Sequence, residues 1–393
     1  MIRTVEELDM KDKRVFVRVD FNVPLRDGRI TEAHRINGSL PTLRFVMTKA
    51  KKIILASHLG RPGGKKEVKW SLAPVRHHLE CSLSCPVSLA PDCTGPEIEI
   101  LVHDARQPKV ILLENLRFHR GEETNDPTFS KALASLADVY VNDAFGAAHR
   151  AHASTAGMVR FFREKGVGFL LKKEIDYLGR ILSSPERPLV ALLGGAKVSD
   201  KIGVLQNLVR KVDSLLLSGG MAYTFLKARG ATIGRSLVEE DRIPMARDII
   251  AQAERRKIPV FLPEDHLAAR EPASDKDPIL SEGNIPVDHI GLDIGPKTTA
   301  KFIQEMHKAR TVLWNGPTGL FEQERFSHGT RSIARALATC NAITIVAGGD
   351  TVAAVRQAGV ADKMTHLSTG GGATLEFLEG RKLPGIQALE EAV

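Results

Sequence analysis

Polar residues near the end of an apolar segment are the first indication of chemistry in this chain. Residues 15–24 read VFVRVDFNVP, in which Arg18, Asp20 and Asn22 alternate with apolar residues before Pro24. This alternation is typical of a β-strand, because successive side chains point to opposite faces. Open parallel sheets bind ligands at the carboxyl ends of their strands. We therefore expect one face of the strand in the core, and Asp20 and Asn22 at a binding site.

Three further apolar segments of the first half end in similar residues. The segments read KIILASH, KVILLEN and VYVND, and the polar residues at or after their ends are His58 and Arg61, then Glu114, Asn115 and Arg117, then Asn142, Asp143 and Arg150. Arg, His and Asn side chains donate hydrogen bonds that suit carboxylate and phosphate oxygens. Together the four strand ends predict a site for a small molecule with several negative charges.

Most apolar segments of the second half end in glycine instead. They read LVALLGG, SLLLSGG, IPVFLPED, VLWNGPTG, AITIVAGGD and HLSTGGG. A strand, a glycine-rich turn and a helix bring backbone amides and a helix dipole toward phosphate. A single glycine pair is also ordinary turn chemistry, but its repetition predicts a nucleotide site built largely from backbone. The P-loop signature does not occur in the sequence, which excludes that class of nucleotide site.

Lys197 and Lys201 lie four residues apart in GGAKVSDKI, directly after one of the glycine turns. On a helix this spacing places both ammonium groups on one face, near the positive end of the helix dipole. Two cations there repel each other unless an anion lies between them. The spacing favours phosphate binding, and the alternative is a solvent-exposed lysine face.

Short apolar segments alternate with helical patterns, which indicates an α/β protein with parallel sheets. Its 393 residues suggest two or three domains. We predict an amphipathic connecting helix over 169–187, between a first domain at 1–168 and a nucleotide-binding domain at 188–375. No apolar run is long enough to cross a membrane and the N-terminus is charged, so we expect a cytoplasmic protein.

The net charge of +8 points to an anionic partner. Nucleic acid and a small polyphosphate are the two candidates. Aromatic residues make up only 5% of the chain, and no basic run is interleaved with aromatics as a single-strand binder requires. The composition therefore favours small anionic substrates over nucleic acid or a membrane surface.

Three of the four cysteines, Cys81, Cys85 and Cys93, lie near His77 and His78. His77 and Cys81 could share a helix face and bind a metal ion. The spacing matches no common zinc pattern, so a partly buried helix and the loop after it are the favoured interpretation.

Nine motifs that occur in order between residues 18 and 380 together resemble the phosphoglycerate kinase family: RVDFNVP, SHLGRP, ENLRF, DAFGAAHRAH, GGAKVSDKI, LDIGPKT, WNGPTGLFE, GGDT and STGGGATLEFLEG. The resemblance implies two doubly wound, Rossmann-like parallel-sheet domains that face each other across a cleft. It also implies a hinge helix between the domains, and a C-terminal tail, 376–393, that packs on the first domain.

The resemblance further implies phosphoryl transfer between ATP and the carboxylate of 3-phosphoglycerate, as in glycolysis, with Mg²⁺ and by hinge closure of a monomer. The residues implied to bind 3-phosphoglycerate are Asp20, Phe21, Asn22, Arg35, His58, Leu59, Gly60, Arg61, Arg117 and Arg150. Arg18 is assigned to support of these residues. The residues implied to act on the transferred group are Arg35, Lys197 and Gly371.

The residues implied to bind the nucleotide are Lys201, Gly291, Asn315, Pro317, Glu322, Gly348, Gly349, Asp350 and Thr351. Asp350 is the implied Mg²⁺ ligand, and the alternative role for Asp350 is the N-cap of the following helix. Two other functions stay open at this point. One is a kinase of another small phosphorylated carboxylic acid, and the other is a basic nucleic-acid-binding protein.

Overall fold

The chain divides into two compact units, which a computed structural model describes over residues 2–273 and 277–390. Unit 1 contains Met1–Asp176 and Lys382–Val393, and unit 2 contains Tyr177–Arg381. The division falls within the predicted connecting segment. Within the described residues, no helix has both the length and the apolar character that a membrane crossing requires.

Unit 1 is built from strands and helices that alternate along the chain. Its strands are β1 (Arg14–Val19), β2 (Leu25–Arg26), β3 (Arg29–Ile30), β4 (Lys52–Ala56), β5 (Val87–Leu89), β6 (Val110–Leu112), β7 (Val139–Asp143) and β8 (Glu164–Val167). Its helices are α1 (His34–Lys49), α2 (Ala73–Leu83), α3 (Pro96–His103), α4 (Arg120–Glu123), α5 (Pro127–Ala134) and α6 (Phe169–Ser183), the last of which continues into unit 2.

Six of these strands form one parallel sheet in the order β5-β6-β4-β1-β7-β8, and β2 and β3 form a separate hairpin. The four segments with polar ends are thus the adjacent strands β6, β4, β1 and β7. Their carboxyl ends meet at one edge of the sheet, which confirms the predicted α/β architecture of this half.

Strand β1 is buried on both faces, and Val15, Phe16, Val17 and Arg18 are all 0% exposed. The prediction that one face lies in the core and the other carries ligand-binding residues is therefore wrong. A central strand of a parallel sheet is covered on both sides. The strand also ends at Val19. Asp20 and Asn22 consequently belong to the segment that follows the strand.

Unit 2 repeats this alternation around a second sheet. Its strands are β9 (Leu189–Leu193), β10 (Ser214–Leu217), β11 (Val260–Phe261), β12 (Asp265–Ala269), β13 (Ile279–Glu282), β14 (Ile290–Ile294), β15 (Thr311–Asn315), β16 (Ile343–Ala347) and β17 (His366–Leu367). Its helices are α7 (Ile202–Leu208), α8 (Met221–Ala228), α9 (Ile243–Arg255), α10 (Pro296–His307), α11 (His328–Thr339), α12 (Gly349–Gln357) and α13 (Gly372–Leu378).

The main sheet of unit 2 is parallel, in the order β11-β10-β9-β15-β16-β17. Trp314, Phe302 and Ile333 are buried in the core beside it. A second, antiparallel sheet of order β13-β12-β14 was not part of the expectation. It follows directly after β11, where Asp265 caps α10 by accepting the N–H groups of Lys297 (2.8 Å) and Thr298 (2.7 Å).

The C-terminal tail joins unit 1 from Lys382, and the predicted start at residue 376 is wrong. Helix α13 stays in unit 2, because Asn207 donates from Nδ2 to the carbonyl of Leu378 (2.7 Å). The last helix, α14 (Pro384–Glu390), packs in unit 1. There the N–H of Gly385 donates to the carbonyl of Ala148 (2.8 Å).

Candidate active site

The segments that follow β1, β4 and β6 contact one another directly. Asn22 Oδ1 accepts the N–H of Gly60 (2.9 Å). Arg35, at the start of α1, donates from Nη1 to Asp20 Oδ2 (3.2 Å) and to the carbonyl of Asn22 (3.1 Å). Arg117 Nη1 donates to the carbonyl of Gly60 (2.7 Å). We call these five residues the basic cluster.

Asn115 fixes the backbone around the basic cluster. Its Oδ1 accepts the N–H groups of Leu59 (3.2 Å) and Arg117 (3.1 Å), and its Nδ2 donates to the carbonyl of Leu59 (2.7 Å). The N–H of Phe21 is held by the hydroxyl of Ser57 (2.8 Å). Side chains that satisfy buried backbone groups hold a loop in one conformation. These bonds therefore fix the conformation of the loops that carry the cluster.

Gly60 lies at a backbone position that favours glycine. Its φ is +64°, which lies in the left-handed region. An added Cβ at Gly60 would lie 2.2 Å from the ring of Trp70. The close approach of backbone and indole thus sets the path of the loop after β4.

A buried ion pair lies beside the basic cluster. The side chains of Arg18 and Glu122 are both 0% exposed, with Nη2 and Oε1 3.9 Å apart. Ser154 joins the two residues, because its hydroxyl accepts from Arg18 Nε (2.7 Å) and donates to Glu122 Oε1 (2.6 Å). The sequence indicated Arg18 as a support, but it carried no signal for Glu122, which lies in the short helix α4.

His58 is buried as a neutral ring next to this ion pair. Burial, together with the guanidinium groups of Arg18 and Arg117, holds the pKa of His58 well below its ordinary value of 6.5. Arg18 Nη2 lies 3.3 Å from His58 Nδ1. Since a guanidinium group can only donate, Nδ1 accepts and the ring hydrogen is on Nε2. His58 can therefore donate a hydrogen bond to an anion without being charged.

Arg61 and Arg150 are exposed, and among the described residues no hydrogen bond joins either of them to the basic cluster. Arg150 donates from Nε to His149 Nε2 (3.2 Å). Its charge contributes to lowering the pKa of Arg117, although burial is the main cause. Arg150 is thus close enough to Arg117 for their charges to interact, whereas Arg61 has no hydrogen bond or ion pair within residues 2–273 and 277–390.

In unit 2, residues that follow β9, β10 and β15 line a cavity of about 250 Å³. Glycine backbone forms much of its wall, as the sequence predicts. Four of the predicted nucleotide residues are in the lining, namely Gly291, Pro317, Glu322 and Asp350. The cavity therefore combines a glycine-rich wall with two carboxylate side chains.

Lys197 and Lys201 do not share a helix face, so that prediction is wrong. Lys197 is an exposed loop residue, and Lys201 ends a 3₁₀ helix over Ser199–Lys201. The N–H groups of Val198 (2.6 Å) and Ser199 (3.0 Å) donate to Glu239 Oε2, which caps the helical segment at this point and leaves Lys197 before its start. Distant residues thus override the local spacing.

Lys201 is buried and oriented by Asn315, to which it donates at the carbonyl (2.9 Å) and at Oδ1. Burial lowers the pKa of Lys201 to about 8, and the carboxylates of Asp200 and Asp350 offset part of that effect. The ammonium group is therefore still mostly protonated at neutral pH, but an additional negative charge would stabilise it.

Asn315 also connects the loops after β15 and β16. Its Nδ2 donates to the carbonyl of Ala347 (3.0 Å), and Thr351 Oγ1 accepts the N–H of Gly316 (2.7 Å). Helix α12 begins at Gly349 with Gly348 as its N-cap, so Asp350 is not the cap. Asp350 is exposed in the first turn, where its carboxylate faces the positive end of the helix dipole.

Seven predicted nucleotide or phosphoryl residues of unit 2 are not in the cavity lining: Lys197, Lys201, Asn315, Gly348, Gly349, Thr351 and Gly371. Gly371 precedes α13 with φ +53°. The N–H of the neighbouring Gly370 is held by Ser368 Oγ (3.2 Å). These residues stay predictions.

Sequence reasoning missed Asp293, which supports the cavity wall. Its carboxylate accepts the N–H of Gly329 (2.8 Å) and the hydroxyl of Thr318 (3.3 Å). Burial raises the pKa of Asp293 to about 7. The motif LDIGPKT contains this residue, but nothing in the motif indicates that its carboxylate turns toward the loop after β15.

The buried ion pair predicts a large loss of stability for Arg18→Met. The variant leaves Glu122 buried without its counter-charge, which should lower the free energy of unfolding by about 3–5 kcal/mol. The double variant Arg18→Met/Glu122→Met should lose less than the sum of the single variants. Urea unfolding measures the free energy of unfolding of the single and double variants.

Arg14→Met is the control. Arg14 lies in the same strand, and its partner Asp138 is partly exposed, so this variant should lose about 0–1 kcal/mol of the free energy of unfolding. An Arg18→Met variant as stable as that control would contradict the role of the pair.

The buried His152 leads us to expect that the free energy of unfolding depends on pH. Burial and the charges of Arg18 and Arg117 lower the pKa of His152 to about 3, against an ordinary value of 6.5. The unfolded chain therefore takes up the proton first, and the free energy of unfolding falls as the pH drops below 6.5 toward 3. His152→Gln should flatten this loss in urea unfolding between pH 7 and pH 4. His77→Gln, at an exposed position, should leave the slope as it is. Equal slopes for all three proteins would contradict the assignment.

Comparison with known proteins adds the family. The family model described as phosphoglycerate kinase matches residues 5–381. The chain is 55% identical to the phosphoglycerate kinase of Anaeromyxobacter dehalogenans (strain 2CP-C), over 99% of this chain and 100% of the relative. It is 52% identical to that of Moorella thermoacetica, over 99% of each.

Two solved structures are similar along the chain. Phosphoglycerate kinase from Coxiella burnetii has a TM-score of 0.89 and 41% identity, with 99% of each chain covered. The enzyme from Pyrococcus horikoshii OT3 has a TM-score of 0.85 and 30% identity, with 99% of this chain and 98% of that chain covered. With these relatives and the matching model, the chain belongs to the phosphoglycerate kinase family.

Proposed function

We propose that this chain transfers a phosphoryl group between ATP and the carboxylate of 3-phosphoglycerate, reversibly, giving ADP and 1,3-bisphosphoglycerate. Its family makes it a phosphotransferase of glycolysis. The observation that carries the proposal is the basic cluster, in which Arg35 and Arg117 are tied to Asp20, Asn22 and Gly60. Such a cluster suits a small acid that carries both a phosphate and a carboxylate.

The phosphate of 3-phosphoglycerate would be bound by arginines and by His58. Arg117 Nε is buried and makes no hydrogen bond within the described part of the chain, although Glu123 Oε1 lies 3.4 Å away as an ion-pair partner. A phosphate oxygen would give this N–H a hydrogen-bond acceptor. His58 would donate from Nε2, and Arg61 and Arg150 would close over the phosphate from the surface. Asp20 and Asn22 would orient the hydroxyl and the glycerate carbons, beside the backbone of Phe21, Leu59 and Gly60.

Arg35 would stabilise charge on the transferred group. Its contacts with Asp20 and Asn22 use Nη1, which leaves Nη2 and Nε to face an anion. The attacking carboxylate has an ordinary pKa of about 4, so it is already ionised and needs no general base. Catalysis then consists of positioning and charge neutralisation.

The nucleotide would occupy the cavity of unit 2. Glu322 would accept hydrogen bonds from the ribose hydroxyls, with Gly291 and Pro317 beside the nucleoside. Lys201, held by Asn315, would bind a phosphate, and the N–H groups at Gly348, Gly349 and Thr351 would bind the others at the start of α12. Lys197 and the Gly371 amide would bind the transferred phosphoryl group.

Asp350 fits the magnesium ion that the family implies, because it offers an exposed carboxylate in the cavity lining. One carboxylate and phosphate oxygens are a usual ligand set for Mg²⁺. When bound, the ion would neutralise phosphate charge. We further propose that the enzyme acts as a monomer in the cytoplasm and that hinge bending brings the two substrates together for the transfer.

A coupled assay tests the function. The enzyme is supplied with ATP, Mg²⁺ and 3-phosphoglycerate, and formation of the acyl phosphate is followed by its reduction. A second series replaces 3-phosphoglycerate with other small phosphorylated acids. Activity that is strongest with 3-phosphoglycerate supports the proposal. Higher activity with another acid would establish the alternative kinase, and an absence of transfer to any of them would refute both.

The proposed roles of Arg35 and Lys201 predict different effects when each residue is replaced. Arg35→Ala should remove about 2–4 kcal/mol of transition-state stabilisation and so lower kcat, while the nucleotide affinity changes little. Lys201→Met should weaken ADP binding by about 1.5–3 kcal/mol, because a charge-assisted bond is lost. Steady-state kinetics and calorimetric ADP titration separate the two. Arg26→Ala, an exposed arginine of the β2–β3 hairpin, is the control and should match the wild type. An unchanged kcat for Arg35→Ala would exclude its proposed role.

A further inference from the structure

Three potential metal ligands from two distant segments of unit 1 lie close together. They are Asp92, Cys93 and His119, and their ligand atoms all lie within 4.8 Å of one another. Among residues 2–273 and 277–390 no other group of three His, Cys, Asp or Glu ligand atoms is so compact. None of the three belongs to the basic cluster or to the proposed nucleotide site. We call them the thiol cluster.

We propose that the thiol cluster binds a thiophilic divalent cation of the Zn²⁺ class. Thiolate, imidazole and carboxylate together are a typical ligand set for zinc, whereas Mg²⁺ prefers oxygen ligands alone. Three protein ligands leave a fourth position for water, and the partial exposure of Asp92 (44%) and His119 (31%) gives solvent access to that position. The buried Cys93 closes the opposite side.

The geometry of the cluster is already close to what an ion requires. His119 Nε2 lies 2.5 Å from Asp92 Oδ1, and the N–H of Cys93 donates to the same oxygen (2.7 Å). The imidazole ring stacks on Phe129 with centroids 4.9 Å apart, which fixes its plane. The ion would enter between Nε2 and Oδ1, and these two atoms would move apart by a small side-chain rotation.

Metal binding would replace the hydrogen bond that the Cys93 thiol donates with a bond between its sulfur and the metal ion. The thiol now donates from Sγ to the carbonyl of Glu114 (2.9 Å). On binding, the thiol proton leaves to solvent and the thiolate becomes a metal ligand, with no change of oxidation state. A role as a reactive nucleophile is disfavoured, because Cys93 is fully buried and burial raises the pKa of its thiol well above 9.0.

The other cysteines of this region are not part of the site. Cys81 is exposed on α2 and Cys85 is partly buried just after that helix. His77 and Cys81 are both exposed on α2, and neither belongs to the thiol cluster. His77 and Cys81 nevertheless provide a natural control, since they are the alternative place for a soft metal ion to bind.

Cadmium titration of the reduced, chelator-treated full-length chain tests the proposal. Cd²⁺ bound to a thiolate gives an ultraviolet charge-transfer band. We expect the band to saturate at one equivalent in the wild type and in Cys81→Ser, and to be lost in Cys93→Ser. His119→Gln should weaken Cd²⁺ binding by about 10-fold or more, as loss of even an outer contact of a metal site does. A band that survives in Cys93→Ser, or that disappears in Cys81→Ser, would overturn the proposal.

A second readout covers a Cys93→Ser variant that fails to fold. An ion that bridges the segments of Asp92 and His119 stabilises the folded state by mass action. Added Zn²⁺ should therefore raise the thermal midpoint of the wild type and of Cys81→Ser, and should raise that of Asp92→Asn and His119→Gln much less. Equal shifts in all four proteins would refute the site. Mg²⁺ is the control ion, and its presence during the Cd²⁺ titration should leave the titration curve unchanged.

Discussion

A parallel sheet brings together at one edge the residues that follow its strands, and both units depend on this constraint. In unit 1, Arg, His, Asn and Asp side chains lie at or directly after the carboxyl ends of the adjacent strands β6, β4, β1 and β7. In unit 2 the strands β10, β9, β15 and β16 end at glycine-rich turns. Residues far apart in the chain thus share one edge in each unit. The same geometry would serve the proposed side-chain recognition in one unit and the proposed backbone recognition in the other.

Each unit also holds a buried cation next to its proposed anion-binding residues. Arg18 is paired with the carboxylate of Glu122, and Lys201 is held by the neutral Asn315. The two arrangements differ in charge. A buried carboxylate neutralises the positive charge of its partner, whereas a neutral amide only orients the side chain that carries the charge. Arg18 therefore acts as a fixed support for His58. Lys201, with its pKa lowered to about 8, gains most from a further negative charge such as a phosphate.

The sequence predicted what depends on local periodicity and on the order of motifs. The alternation in 15–24 indicated a strand, and the glycine turns indicated the wall of the cavity. It could not predict contacts between distant residues. Glu239 caps the helical segment at Val198 and Ser199, so Lys197 lies before the helix and the lysine spacing was misleading. Glu122 reaches Arg18 across 104 positions of the sequence and Asp92 reaches His119 across 27, as their numbering gives, and no spacing rule relates such pairs. The residue at which the C-terminal tail begins could not be predicted either, because the contact of Leu378 with Asn207 is a tertiary contact.

The central claim is that the acid and the nucleotide are recognised by different units. Hydrogen exchange of the full-length enzyme, followed by mass spectrometry with one ligand at a time, tests this claim directly. We expect 3-phosphoglycerate to slow exchange in residues 15–24 and 57–61 of unit 1. ADP with Mg²⁺ should slow exchange in residues 194–201 and 316–322 of unit 2. Protection of the same unit by both ligands, or protection in the opposite units, would contradict the account.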